Sequence, residues 1–247
     1  MSVVDTLLSP RFDAARKASY LALDVDTEAA ALQLVEQFTP VVDGYKVGLE
    51  LFHAAGMRLV EKLLQRNLRV FLDMKLHDIP NTVAGALRAI CEYPIEMVNV
   101  HAQGGLRMLT AARAAVAQAP YQPLLIGVTL LTSLDEADLA AMGVQGTPVQ
   151  GVERLTKLCQ AAQLDGVVCS AQELAHLAAL VPDGFERVVP GTRLATDDRH
   201  DQQRILTPRE AMQRGATRLV LGRGVRTADD RWQALHAYWT EMTNDHV

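Results

Sequence analysis

The sequence has few cysteines, and those it has show no pattern of structural use. It contains 3 cysteines in 247 residues, namely Cys91, Cys159 and Cys169. An odd number of cysteines without metal-ligand spacing argues against both a disulfide framework and a zinc site. We therefore expect reduced thiols in a cytoplasmic protein.

The sequence also lacks an excess of positive charge. It has 24 lysines and arginines against 29 aspartates and glutamates, giving a formal charge of −5. This balance gives no general attraction to nucleic acid or to an anionic membrane. Any anionic ligand must therefore be held by a local cluster of basic residues.

Long hydrophobic runs are absent as well. No segment approaches the ~18 apolar residues of a membrane span, and the stretch from Met1 to Pro10 has no basic region followed by an apolar run. No Pro/Gly/Ser-rich linker or low-complexity stretch divides the chain. We expect a soluble, unsecreted protein with one domain, residues 1–247, that begins with a short extension at 1–18.

Short apolar runs alternate with stretches of helical periodicity along the chain. Eight runs are candidate strands: Tyr20 to Asp24, Gly44 to Val47, Leu68 to Asp73, Met97 to His101, Leu124 to Leu130, Gly166 to Cys169, Arg187 to Val189 and Arg218 to Gly222. Alternation of strand and helix predicts a parallel sheet. Eight units in a chain of this length favour an α/β fold of the (β/α)8 TIM barrel type, with a doubly wound open sheet as the competitor.

Two connections between these elements are unusually long. One runs from Thr132 to Pro148 and is predicted to hold a short helix from Asp135 to Ala141, and the other runs from Gly191 to about Thr207. Loops that follow barrel strands carry functional sites, although either loop taken alone is as readily a surface insertion.

The segment from Phe71 to Thr82 carries the strongest chemical signal. Alternate strand residues point to the same side, so Asp73 and Lys75 should project together if the strand continues to Lys75, with Asp78 following closely. Charged groups are expensive to bury unless they are paired, so such a strand end is a candidate catalytic site. An ordinary structural ion pair is the alternative.

The other strand ends add further polar groups at the same predicted mouth. Asp24 is either a ligand or a helix N-cap, a task for which Asp26 or Thr27 is better placed, and Lys46 is either a site residue or a surface lysine. His101 is expected to be a hydrogen-bonded structural histidine in preference to a base, and Cys169 a core residue.

The seventh and eighth predicted strands end in a glycine with an arginine close behind. Gly191 precedes Arg193 and Gly222 precedes Arg223. Barrels often bind phosphate after these two strands, where backbone amides approach an anion and arginine offers a planar fork. We predict a phosphate pocket, over which Gln202 in the seventh loop could fold.

Taken together, these residues resemble those of the bacterial orotidine 5′-phosphate decarboxylase family. The similarity extends from Ala22 to about Gly224, and the run Asp73 to Asp78 followed by Ile-Pro-Asn-Thr is its most specific part. The other matching segments are Tyr45 to Gly48, Val98 to Ala102, Leu131 to Ser133, Asp165 to Ser170, Val189 to Arg193 and Leu221 to Arg223.

The resemblance implies decarboxylation of orotidine 5′-monophosphate to UMP in de novo pyrimidine biosynthesis, without a metal or an organic cofactor. It implies the following roles: Lys75 as proton donor within a catalytic group of Asp73, Lys75, Asp78 and Lys46; Asp24 and Lys46 at the ribose; Thr132 and Ser133 at the pyrimidine; and Arg193, Gln202, Gly222 and Arg223 at the phosphate. It also implies a homodimer in which Asp78 and Thr82 reach the partner's site. The chain departs from the family pattern at Thr192 and Leu194, where isoleucine and proline are usual. Loss of a proline should leave this loop less preorganised.

Two rival functions fit part of this pattern. A magnesium-dependent enzyme acting on a keto-hexulose phosphate shares the Asp-x-Lys-x-x-Asp triplet, but its second strand ends in an acidic metal ligand where this chain has Lys46, a cation that would repel magnesium. A catalytically silent phosphate-ligand sensor would require a broken Lys75 network, and the network is complete.

Overall fold

The structure, a computed structural model, describes residues 2–195 and 206–243. Eight parallel strands form a closed barrel in sequence order, with β1 paired to β8. The strands are β1 Ser19–Ala22, β2 Gly44–Gly48, β3 Arg69–Leu76, β4 Met97–His101, β5 Leu124–Val128, β6 Gly166–Val168, β7 Glu186–Pro190 and β8 Arg218–Leu221. The predicted (β/α)8 TIM barrel is confirmed and the open doubly wound sheet is wrong, because β8 returns to β1.

Helices cover the outside of the barrel and account for the helical periodicity between the strands. They are α1 Val3–Leu7, α2 Asp13–Lys17, α3 Glu28–Phe38, α4 Leu49–Leu64, α5 Pro80–Ile90, α6 Gly105–Ala117, α7 Glu136–Ala141, α8 Pro148–Ala161, α9 Leu174–Ala178, α10 Pro208–Gln213, α11 Arg223–Arg226 and α12 Arg231–Met242. Helix α7 is the short helix predicted in the fifth loop, and its N-cap is Asp135. Among the described residues, no helix is long and apolar enough to cross a membrane.

The barrel interior is packed with apolar side chains. The cluster that fills it is Tyr20, Ala22, Phe71, Met97, Ile126, Val188 and Val220. A second and larger apolar layer lies between the strands and the surrounding helices. Cys91, Cys159 and Cys169 are free thiols and are buried, and burial raises the pKa of Cys159 to about 12.

The N-terminal extension lies at the amino end of the barrel strands. The Lys17 carbonyl, at the end of α2, accepts hydrogen bonds from Arg218 Nη1 at 2.7 Å and Arg69 Nη1 at 3.3 Å. Arg69, at the start of β3, also forms ion pairs with Asp43 and Glu96. These contacts hold the N-terminal extension over the amino end of the barrel. The carboxyl end, where the polar side chains lie, is the opposite one.

Candidate active site

Three neighbouring strand ends bring four charged side chains together at the mouth. Lys75 Nζ lies 2.6 Å from Asp73 Oδ1, while Lys46 Nζ lies 3.3 Å from Asp73 Oδ2 and 3.0 Å from Asp24 Oδ1. The parallel register of β2 and β3, which pairs Gly48 with Asp73, aligns these positions. Asp73 and Lys75 project to the same side of β3 and contact each other, as the strand pattern predicts.

The two innermost charges hold each other ionised. Burial disfavours the charged form of Lys46, but the carboxylates of Asp73 and Asp24 outweigh it and raise the pKa of this lysine. Burial also opposes ionisation of Asp73, yet Lys46, Lys75 and a hydrogen bond from Asn99 lower the pKa of its carboxyl. Lysine is therefore cationic and aspartate anionic throughout the neutral pH range.

The backbone of β3 is distorted where it presents the lysine. Lys75 has a φ of 49°, in the left-handed region, and the pairing with β4 shifts register between Leu72 and Leu76. Asn99 fixes this geometry, because its Oδ1 accepts the Lys75 backbone N–H at 2.7 Å and its Nδ2 donates to Asp73 Oδ1 at 2.7 Å. Such strain at a non-glycine residue is typical of functional sites.

Asn99 is absent from the predicted site residues. It is fully buried in β4, in the apolar run Met97 to Val100. A buried amide must find hydrogen-bond partners, so a lone asparagine in an apolar strand is a signal that could have been noticed. Its two partners are both residues of the catalytic pattern.

The structure resolves the alternative for Asp24 and departs from the expectation for His101. Thr27 caps α3 by accepting from the Ala30 N–H, which leaves Asp24 to pair with Lys46. The hydrogen bond expected for His101 is absent at Nδ1, which is buried without a partner among the described residues. Burial, the nearby His77 ring at 5.4 Å between centroids, and the charge of Lys75 lower the pKa of His101.

Asp78 and Thr82 do not join this cluster within one chain. Both are exposed, and Asp78 Oδ1 accepts the Ile79 backbone N–H at 2.6 Å just before α5 begins. Asp78 forms no ion pair with any residue in the described part of the chain. Of the predicted catalytic group, Asp73, Lys75 and Lys46 therefore lie together within one chain, and Asp78 lies apart from them.

A cavity of about 280 Å³ joins the charged cluster to the predicted phosphate residues. Asp24, Lys46, Asp73, Lys75, Gly191, Arg193, Gly222 and Arg223 all line it. Gly191 has a φ of 78°, which glycine adopts without strain, and Gly222 caps α11 at the residue before Arg223. Gln202 lies outside the described residues.

An adjoining cavity of about 390 Å³ contains Thr132 and Ser133. Pro190, Gly191 and Arg223 line both cavities, so the two are neighbours at the mouth. The predicted pyrimidine pair therefore lies beside the charged cluster, across the end of β7, and does not contact it.

The charged cluster is poorly suited to a divalent metal ion. In residues 2–195 and 206–243, no three His, Cys, Asp or Glu side chains are grouped as a metal site. Lys46 Nζ lies within 3.3 Å of both Asp24 and Asp73. An ammonium between two carboxylates occupies the position that a hard cation would need.

Comparison with known proteins identifies the family and agrees with the fold. The model of the "Orotidine 5'-phosphate decarboxylase / HUMPS family" matches residues 20–238. A protein of Saccharophagus degradans named orotidine 5′-phosphate decarboxylase is 46% identical over 222 residues, covering 90% of this chain and 93% of the relative. The protein of the same name from Laribacter hongkongensis is 49% identical over 217 residues, covering 88% and 89%.

Solved structures show the same similarity. The crystal structure of orotidine 5′-phosphate decarboxylase from Lactobacillus acidophilus matches with a TM-score of 0.78 and 33% identity, covering 91% of this chain and 98% of the other. The enzyme of that name from Pyrococcus horikoshii, at 19% identity and a TM-score of 0.73, shares the fold and covers 92% of this chain and all of the other. This chain therefore belongs to the orotidine 5′-phosphate decarboxylase / HUMPS family of enzymes.

Proposed function

We propose that this chain, as one catalytic domain, decarboxylates orotidine 5′-monophosphate to UMP in pyrimidine biosynthesis. The observation that carries the proposal is the position of the Lys75 ammonium at the barrel mouth, 2.6 Å from Asp73. Asp73 also forms an ion pair with Lys46. Relatives that are 46% and 49% identical bear the name of this activity and support the choice of substrate.

The reaction requires a cation at one carbon atom. Loss of CO2 from C6 leaves an electron pair in an sp² orbital orthogonal to the pyrimidine π system, so the ring cannot delocalise it. An ammonium positioned beforehand stabilises the charge as it develops and then supplies the proton that C6 needs. Lys75 is assigned this role, because Asp73 keeps it oriented and the cavity beside it is open.

The other charged residues are assigned by their position around the cavity. Asp24 and Lys46 are assigned to the ribose, since their side chains form an ion pair in the wall of the cavity. Asp73, besides orienting Lys75, lies where the substrate carboxylate would approach and would raise the energy of the ground state. These roles depend on Lys46, which links both aspartates.

Substrate binding is assigned to the two adjoining cavities. Arg193, Gly222 and Arg223, together with Gln202, are assigned to the phosphate, and Thr132 and Ser133 to the pyrimidine. The shared wall at Gly191 and Arg223 lets one ligand extend from one cavity to the other. Phosphate binding far from C6 can then supply energy that positions the ring.

We propose that the reaction uses no metal or organic cofactor. Magnesium-dependent catalysis on a hexulose phosphate is the rival within the family, and it needs free carboxylates at the strand ends. Here Lys46 forms ion pairs with both Asp24 and Asp73, at 3.0 and 3.3 Å. This arrangement favours the cofactor-free decarboxylase.

The proposal includes a cytoplasmic homodimer whose two sites share Asp78 and Thr82. Asp78 is exposed and unpaired with Lys75 in one protomer, and Ile79 beside it is 67% exposed. An exposed carboxylate next to an exposed apolar side chain fits a contact with a second copy. The three free thiols fit a reducing compartment.

The reaction and its substrate can be tested in one assay. Purified protein is mixed with orotidine 5′-monophosphate and EDTA, and the loss of ultraviolet absorbance is followed. We expect conversion to UMP at a rate that EDTA does not change. Activity only on a hexulose phosphate with added magnesium would establish the rival, and UMP binding without turnover would establish the sensor.

The role of Lys75 is tested by replacing it. Lys75→Ala should lower kcat by at least about 10⁴-fold, because both charge stabilisation and proton donation are lost, while UMP still binds. Lys157→Ala, which removes an exposed lysine paired with Glu153 on α8, is the matched control and should retain activity. Near-normal turnover by the Lys75→Ala protein would refute the assignment.

A further inference from the structure

We propose a second oxyanion-binding site, separate from the barrel mouth, between α3 and the helices that follow β8. A cavity of about 230 Å³ lies there, lined by Val25, Ala30, Gln33, Leu34, Arg226, Thr227 and Arg231. None of these residues lines either cavity at the mouth. The site takes inorganic phosphate or the phosphate group of a small phosphate monoester.

Two arginines without a carboxylate partner give the cavity its charge. Within residues 2–195 and 206–243, neither Arg226 nor Arg231 forms an ion pair, whereas Arg113 and Arg218 form ion pairs at 2.7 and 3.0 Å. Arg231 Nη1 donates to the neutral Gln37 Oε1 at 2.6 Å. A half-buried guanidinium without a counter-ion is costly, and an anion between the two would relieve this cost.

Arg226 also has an unused hydrogen-bond donor. Its Nε is buried and has no acceptor in the part of the chain that the structure describes. Buried side-chain donors are normally satisfied, so an orphaned one beside a cavity indicates a missing acceptor. Phosphate offers several acceptor oxygens to a guanidinium fork, which matches this arrangement.

The carboxylates of Asp230 and Glu28, which are close in sequence to the cavity residues, have partners elsewhere. Asp230 Oδ1 caps α12 by accepting the Trp232 and Gln233 backbone N–H groups. Glu28, on α3, contacts Arg58 and Lys62. Of the described residues that line the cavity, Arg226 and Arg231 are the two with a formal charge, and they make its wall positive.

The remaining wall limits the kind of ligand. Val25, Ala30 and Leu34 form an apolar side, while Gln33 adds a polar group. This combination suits a phosphate whose small organic part packs on the apolar side. The site is independent of the proposed reaction, although α11 links the two places, because it begins at Arg223 in the mouth and ends at Arg226.

The site is tested by titrating the protein with inorganic phosphate at constant ionic strength and measuring the heat released. The titration uses a protein that carries Arg223→Ala, which weakens phosphate binding at the mouth. The heat then measured comes mainly from the second site. On that background, Arg226→Gln with Arg231→Gln should weaken phosphate binding by about tenfold or more, since each removes charged hydrogen bonds. Arg88→Gln, an exposed arginine on α5, is the matched control and should leave binding unchanged.

Three further measurements keep the result interpretable. Thermal unfolding establishes that each variant is folded, and Arg226→Lys, which keeps the charge but loses the fork, should give intermediate affinity. Equal phosphate affinity with and without Arg226 and Arg231 would overturn the proposal. Decarboxylation is measured separately, so failure of the second site and failure of the proposed function give different results.

Discussion

Asp73 is the residue on which the charged cluster depends. Its carboxylate accepts hydrogen bonds from Lys75 Nζ and Asn99 Nδ2 and forms an ion pair with Lys46, so it connects the proposed proton donor to the rest of the cluster. A carboxylate with several charged donors has little rotational freedom, which keeps the lysines in place before substrate arrives. Positioning of Lys75 is therefore a property of its neighbours as much as of the lysine.

Asn99 is predicted to act as a positioning residue. Asn99→Ala leaves the Lys75 backbone N–H without a partner and removes one of the two hydrogen bonds that Asp73 Oδ1 accepts, so we expect a loss of about 1–3 kcal/mol in stability and a kcat about 10- to 100-fold lower. KM should change little, because Asn99 lines neither cavity at the mouth. Steady-state kinetics with orotidine 5′-monophosphate measures kcat and KM separately.

Thr129→Ala is the matched control for Asn99. Thr129 is fully buried on the next strand end and donates to the Val168 carbonyl at 2.8 Å, without touching Asp73. Its removal should cost comparable stability and leave kcat unchanged. The same fall in kcat for both variants would show that Asn99 acts only through general stability.

The lowered pKa of Asp73 predicts how stability depends on acid. Because the folded-state pKa lies below the ordinary 3.8, the unfolded chain binds the proton more tightly, and the stabilisation is present above pH 3.8. It is lost as pH falls from 3.8 through the folded-state pKa. Asp73→Asn should therefore be less stable than the original protein at neutral pH, with a difference that shrinks below pH 3.8.

Urea unfolding at a series of pH values measures this difference directly. Other carboxylates titrate in the same range, but they are common to both proteins and cancel in the comparison. A stability difference that stays constant down to pH 2 would contradict the role given to Asp73.

At the scale of elements, close contact between β1, β2 and β3 sets the spacing of the site. Gly44 begins β2 and pairs with Arg69 in β3. A Cβ at this position would lie 2.7 Å from the Ser19 carbonyl oxygen of β1 and 2.7 Å from Arg69 Nη2. Glycine is needed here because backbone cannot move aside as a flexible side chain can.

Gly44→Ala is predicted to lower the free energy of unfolding by about 1–3 kcal/mol, as expected for overpacking. The change separates β1 from β2, so a smaller fall in kcat should accompany it through displacement of Lys46. Chemical denaturation and the decarboxylation assay measure the two effects. Unchanged stability would show that the strands adjust without cost.

A substitution in helix α8 is predicted to increase stability, whereas Gly44→Ala decreases it. Thr156 is fully buried, and its Oγ1 has no hydrogen-bond partner in the part of the chain that the structure describes. Thr156→Val removes this unsatisfied hydroxyl at nearly constant volume and should stabilise the protein by about 1 kcal/mol. Activity should not change, since Thr156 lines no cavity at the mouth, and a loss of stability in denaturation would show that the hydroxyl has a partner.

At the scale of the whole molecule, the proposed site is incomplete in one protomer. Lys75, Asp73 and Lys46 are assembled, but Asp78 is exposed and bonds the Ile79 N–H. The proposed homodimer would complete the catalytic group by bringing in the partner's Asp78. This arrangement can be tested without a structure of the complex.

Mixing two inactive variants tests whether Asp78 acts across the interface. Lys75→Ala and Asp78→Ala proteins should each be inactive alone, but random subunit exchange would give heterodimers with one intact site. We expect the equal mixture to recover about a quarter of the original activity per site. A mixture that stays inactive after demonstrated exchange would show that Asp78 acts within its own chain.

The sequence alone determined the barrel and most of the charged cluster. Strand periodicity and strand-end position placed Asp24, Lys46, Asp73 and Lys75 correctly, because in a closed parallel sheet every strand ends at the same mouth. Local sequence was equally informative for α7, which is predicted from Asp135 to Ala141 and spans Glu136–Ala141.

Only the tertiary structure decided contacts between residues far apart in the chain. Asn99 contacts the charged cluster because β4 lies beside the distorted end of β3. Neither the register shift between these strands nor the positive φ of Lys75 can be read from the sequence. The separation of Thr132 and Ser133 from the charged cavity, and the convergence of Arg226 and Arg231 on a second cavity, likewise depend on packing. Periodicity specifies which face of an element is buried, but the neighbours it meets are set by how all the elements pack together.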